Sequence, residues 1–146
     1  MGFRTETLNE ACLELQESGL DQKNPTIIHC HDLSILSLSK SIDFIWAFSV
    51  LIHLSDHSLD EMLAFSARSL SPTGKLLANV HNGNQPDRHW RNFPVVSRSP
   101  EFYRQAFAKH GLRVADIGSL RDYGHVARPK SEAEELLQRI LEAHPS

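Results

Sequence analysis

Apolar residues recur along the chain with two periods. From Thr5 to Ser18 they fall at Leu8, Ala11, Cys12 and Leu15, the i, i+3, i+4, i+7 spacing of an amphipathic helix. Thr7 and Glu10 have capping-box spacing, Gly19 suits the position just past the helix, and Cys12 reads as packing on its buried face. Asn24-Pro25 breaks the chain. Thr26 to Cys30 (T-I-I-H-C) is short and β-branched and predicts a strand, with Asp32 just past its end. Leu33 to Ser41 reads as a connection. Ile42 to Ala47 (I-D-F-I-W-A) is almost continuously apolar, which predicts a strand buried on both faces. Phe48 to Leu54 continues apolar into a loop or short helix. Ser58 to Leu70 is the clearest helix, with Ser58 and Glu61 as a capping box and Leu59, Leu63, Ala67 and Leu70 as its stripe. Ser71-Pro72-Thr73-Gly74 stops it, and Lys75 to His81 reads as the next strand.

Asn82 to Arg98 is a long polar connection holding Trp90, Phe93 and Val95. Connections longer than about 12–15 residues are usually functional or disordered, and these apolar residues predict one that packs over something. Ser99-Pro100 has the N-cap and first-position pattern of a helix that runs to His110, with Gly111 behind it. Leu112 to Gly118 is a further strand. Ser131 to Ala143 has helical composition, while Gln138 to Ala143 reads equally as a last strand. Alternating strands and helices predict an α/β fold with a mostly parallel sheet. Such sheets bind ligands beyond the carboxyl ends of their strands, here at Asp32-Leu33, Ala47-Phe48-Ser49 and His81-Asn82-Gly83.

Composition narrows the function classes. The 146 residues suit a single domain, 1–146, of ordinary globular composition. With 15 Lys and Arg against 18 Asp and Glu the net charge is −3, no basic footprint for nucleic acid. No apolar run approaches the roughly 18–20 residues of a membrane helix, and the first residues lack the apolar core of a signal peptide. Two cysteines are too few for a disulfide framework and suggest a reducing compartment, the cytoplasm. Nine histidines carry the chain through neutrality at about pH 6, where low solubility is expected.

Five segments share an order with a known family. D-F-I-W-A-F-S-V-L-I-H-L, D-E-M-L-A-F-S-A-R-S-L, S-P-T-G-K-L-L, H-C-H-D-L and A-F-A-K-H-G-L-R-V resemble the second half of class I S-adenosylmethionine-dependent methyltransferases. The resemblance covers roughly Leu8 to Gly118. It implies a truncated Rossmann-like methyltransferase fold, drawn from a sheet of order 3-2-1-4-5-7-6, and a final β-hairpin that favours a strand from Gln138. It implies S-adenosylmethionine as cofactor and a small-molecule methyl acceptor. Asp32 would accept from the adenine amino group, Leu33 would pack on the ring, and Ala47, Phe48 and Ser49 would line the cofactor pocket. His53 stands where the family often keeps a histidine, a candidate general base. His89 and Trp90, in the connection after the fifth strand, are candidate substrate contacts.

The family's D-x-G-x-G loop has no counterpart: the seven glycines stand at 2, 19, 74, 83, 111, 118 and 124. Those glycines let backbone approach the cofactor's methionine part. The ribose-binding acid of the second strand has no counterpart either, since Gly2-Phe3-Arg4-Thr5 carries no carboxylate. The chain is therefore expected to begin just after the second strand and to be impaired as an enzyme. Loss of the first two strands leaves backbone groups unpartnered. The remaining strands then pair directly, or two chains dimerise edge to edge, or the chain is a poorly stable fragment. In the last two cases it is a remnant acting as an interaction module or part of an enzyme. His29-Cys30-His31-Asp32 invites a metal reading, with His53 and His57 as distant company. No Cys-x-x-Cys or His-Glu-x-x-His pattern supports it, and no metal is expected.

Overall fold

The computed structural model describes residues 3–83, 87–120 and 138–146. The chain forms two compact units, Met1–Asp32 and Leu33–Ser146.

The first unit is helix α1 (Phe3–Glu17) followed by a 3₁₀ turn at Asp21–Lys23. Gly19, at φ 66°, ends α1. Its N–H donates to Gln16 O, and the Leu20 N–H donates to Leu15 O at 2.8 Å, the paired bonds of a Schellman motif. Because α1 starts at Phe3, Thr7 lies inside the helix and does not cap it. Leu8, Ala11 and Leu15 are half-buried as the stripe predicts, but Cys12 is exposed: the apolar arc is too narrow to cover it. Thr26 to Cys30 is not a strand. β-propensity is expressed through cross-strand pairing, and this segment has no ladder partner among the described strands; Ile27 and Ile28 are exposed.

The second unit holds the sheet. Its elements are β1 (Ile42–Ala47), a 3₁₀ turn (Leu51–His53), α2 (Asp56–Ser69), β2 (Leu70–His81), β3 (Arg88–Trp90), β4 (Phe93–Val95), α3 (Pro100–Lys109), β5 (Leu112–Ser119) and β6 (Gln138–Pro145). Four strands lie in the order β1-β2-β6-β5, while β3 and β4 form a separate hairpin. Only β1 and β2 run parallel; β6 is antiparallel to both of its neighbours. The expectation of a mostly parallel sheet thus fails among the described strands, because the last strand returns between β2 and β5. The tail resolves as the strand that begins at Gln138.

Local signals explain the helices. Ser55 caps α2, its hydroxyl accepting from the Ser58 N–H at 3.1 Å. The helix therefore starts earlier than the Ser58–Glu61 pair suggests, and Ser58 is a capped residue within it. Ser99 caps α3 through the Phe102 N–H, with Pro100 in the first turn as predicted. The core joins Leu59 and Leu63 of α2, Leu76, Ala78 and Val80 of β2, Tyr103 and Phe107 of α3, and Leu141 and Ala143 of β6. Gly74 sits where β1 meets β2: a Cβ there would lie 2.8 Å from the Ile42 carbonyl oxygen.

Strand β1 departs from expectation most. Ile45 and Ala47 face the core, but Phe44 and Trp46 on the opposite face are 48% and 60% exposed. A parallel strand is buried on both faces only when helices cover both. Among the described elements β1 has β2 on one edge and no strand on the other. Its outer face carries a row of aromatic rings, with Trp46 stacked on Phe48 at 4.0 Å and Phe44 6.0 Å from Trp46.

Candidate functional site at the end of β1

The candidate site lies beyond the carboxyl end of β1, where the chain turns at Ala47-Phe48-Ser49. Ala47 is buried in the core, so it supports the turn from beneath. Phe48 is half-buried under Trp46. Ser49 adopts φ 53°, a left-handed conformation that costs a residue with a side chain roughly 1–2 kcal/mol. What holds it there is Asn79, a 2% exposed side chain on β2, whose Oδ1 accepts from the Ser49 N–H at 2.5 Å. Asn79 was not singled out in the sequence, although a lone amide within L-L-A-N-V is the signal that could have found it. A polar side chain inside a buried strand must find a partner there.

His53 follows in the 3₁₀ turn. Its Nδ1–H donates to the Pro94 carbonyl at 2.6 Å, and its ring lies 5.9 Å from Phe93. The neutral ring therefore carries its lone pair on Nε2. The Val96 N–H donates to Ile52 O at 2.8 Å, so the 3₁₀ turn and the β3–β4 hairpin are bonded side by side. His89 is exposed on that hairpin and Trp90 closes its first strand; the turn beyond has Arg91 at φ 55°. His53 and the hairpin are thus brought together, as the long connection suggested.

Asp32 ends the first unit, and its carbonyl accepts from the Cys30 thiol at 3.1 Å. Leu33 opens the second unit and packs against its core, while its carbonyl accepts from Arg68. Among the described residues, no three His, Cys, Asp or Glu side chains gather as a metal site requires.

No family model and no curated protein matches this sequence. Solved structures do match. A S-adenosylmethionine-dependent methyltransferase from Clostridium acetobutylicum ATCC 824 superposes with TM-score 0.66 at 12% identity, covering 97% of this chain and 72% of that one. The glycopeptide N-methyltransferase MtfA complexed with S-adenosyl-L-homocysteine gives 0.68 at 14%, covering 97% and 70%. The Burkholderia thailandensis 1,6-didemethyltoxoflavin-N1-methyltransferase gives 0.58 at 17%, covering 78% and 48%. The chain has the fold of a class I S-adenosylmethionine-dependent methyltransferase. Its order β1-β2-β6-β5 is the 4-5-7-6 half of the order that the sequence resemblance implied.

Three of the described glycines offer a cofactor no cradle: Gly19 and Gly111 end helices, and Gly74 is pressed against backbone. The Ser49 N–H, the backbone donor at the end of β1, is already given to Asn79.

Proposed function

We propose that this chain carries the acceptor-side half of an S-adenosylmethionine-dependent methyltransferase acting on a small molecule, and that alone it binds the cofactor poorly. The observation that carries the reading is the combination of methyltransferase strand order with an open edge on β1. Small-molecule methyl transfer is what several of the matching structures are named for, glycopeptide and didemethyltoxoflavin among them. In this reading Leu33, Ala47, Phe48 and Ser49 shape the cofactor side of the second unit. His53 is the candidate base, oriented by the Pro94 carbonyl. His89 and Trp90 stand on the hairpin bonded to its turn, as candidate contacts to the methyl acceptor. The two unpaired cysteines favour the cytoplasm. No described helix is long and apolar enough to cross a membrane.

The test is calorimetric titration of S-adenosylhomocysteine into the chain. Two or more missing hydrogen bonds, at about 1–3 kcal/mol each, weaken binding by at least about thirtyfold, so binding weaker than the low-micromolar range is expected. Low-micromolar binding would refute the impairment. A second reading, an interaction module that dimerises through β1, is favoured by one observation: the exposed aromatic row of Phe44 and Trp46 beside the unpaired edge. Light scattering separates them, since edge pairing doubles the mass at high concentration.

A further inference from the structure

The connection that leads into β1 is rich in serine: Ser34 to Ser41 reads S-I-L-S-L-S-K-S. Ser37, Ser39, Lys40 and Ser41 line one cavity of about 200 Å³, together with Arg68 and Ser69 from the last turn of α2. All of these residues belong to the second unit. Arg68 clips the connection to the helix, its Nη2 donating to Leu33 O and, at 3.4 Å, to Leu36 O. Its guanidinium also lies over the Phe65 ring, 5.2 Å from the centroid. These contacts hold the cation in place and use only one of its nitrogens, so Nε and Nη1 have protons to spare.

The rest of the polar lining is uncommitted. Among the described residues, no hydrogen bond or ion pair engages Lys40 or the hydroxyls of Ser37, Ser39, Ser41 and Ser69. Ser69 is only 8% exposed, and a hydroxyl so far from bulk water needs a partner, which the cavity is placed to supply. No described carboxylate lines the cavity, so two full positive charges border it without a counter-ion. The carbonyl end of α2 opposes them with only about half a negative charge. Two cations and four hydroxyls around one opening suit an anion that carries more than one charge and offers acceptor oxygens in several directions, which is the description of a phosphate group.

We propose that this cavity binds a phosphate group, whose oxygens accept from Arg68, Lys40 and the Ser69 hydroxyl, with the exposed serine hydroxyls of the connection at its rim. The site is separate from methyl transfer. It precedes β1, whereas Ala47-Phe48-Ser49 ends that strand, and six residues at about 3.3 Å each set the two places roughly 15–20 Å apart. Either reading can fail without the other.

Inorganic phosphate is the probe, titrated into the chain at neutral pH and followed by calorimetry, with sodium chloride holding the ionic strength constant. Saturable binding is expected. Lys40→Gln and Ser69→Ala should each weaken it about threefold, the loss of one hydrogen bond to a charged group in a site that water reaches. Lys40 is exposed and without a described partner, so that variant keeps the test open if Ser69→Ala fails to fold. Arg113→Gln removes an equal charge from β5, at the far side of the sheet from β1, and should leave phosphate binding unchanged. Phenyl phosphate distinguishes the source of the group: binding like that of the inorganic ion supports a phosphate carried on a larger ligand, and its exclusion supports the free ion. No phosphate binding by the parent chain, unaltered binding by both site variants, or an equal loss in Arg113→Gln would each overturn the proposal and leave the cavity to water.

Discussion

The left-handed turn at Ser49 depends on one side chain from the neighbouring strand, and Asn79→Leu tests that dependence. Leucine keeps the branching of asparagine but is larger, so some overpacking adds to the loss of the Ser49 N–H acceptor. The lost bond is short, at 2.5 Å, and Asn79 is 2% exposed, so water does not replace it readily. An unsatisfied buried donor costs about 1–3 kcal/mol, partly offset by the added apolar burial. For a domain of this size each kcal/mol is worth about 4 °C. Thermal unfolding followed by circular dichroism should therefore show a fall of roughly 4–10 °C. Ser49→Ala is the companion variant: the bond uses the backbone N–H and the Ser49 side chain is exposed, so its Tm should move by about 2 °C or less. If Asn79→Leu leaves Tm unchanged or raises it, Asn79 does not hold the turn and the site has another support.

Further expectations follow from single contacts. Gly74→Ala pushes a methyl to within 2.8 Å of the Ile42 carbonyl, and should cost about 1–3 kcal/mol in urea unfolding. His53→Ala removes the bond to Pro94 and should lower stability by about 1 kcal/mol while leaving the circular dichroism spectrum unchanged. Hydrogen bonds from Lys109 and then His110 hold the Asp60 carboxyl below its ordinary 3.8. A depressed carboxylate stabilises the fold above its unfolded value and loses that contribution as pH falls through the folded one. Asp60→Asn should thus lower Tm at pH 7, and the difference from the parent should close below about pH 4. Trp46→Lys, on an exposed position, should leave Tm within about 2 °C of the parent in thermal unfolding.

Much of the fold was legible where one short-range rule sufficed. The stripe Leu59–Leu63 marked α2, Ser99-Pro100 marked α3, and Gly19 and Gly111 sit past their helices at positive φ as their positions suggested. Ile42–Ala47 was legible as a strand but not as an open one. An apolar run records the burial for which it is suited, whereas exposure depends on which elements lie alongside. The same dependence misled at Thr26–Cys30, whose β-branched residues favour pairing that no neighbour supplies. The strand-end rule and the family resemblance name Ala47-Phe48-Ser49 and His53, and the structure sets the first three at the turn that ends β1. Neither reaches Asn79, because its importance lies in a partner 30 residues distant.

Amide hydrogen exchange along β1 tests the account's central claim most directly. In a parallel pair, alternate residues bond the neighbour while those between face outward. With β2 the one neighbour of β1 among the described strands, amides within Ile42–Ala47 should alternate between slow and fast exchange at every protein concentration. Uniform slow exchange through the whole strand would contradict the open edge, and with it the reading of this chain as half of a methyltransferase sheet.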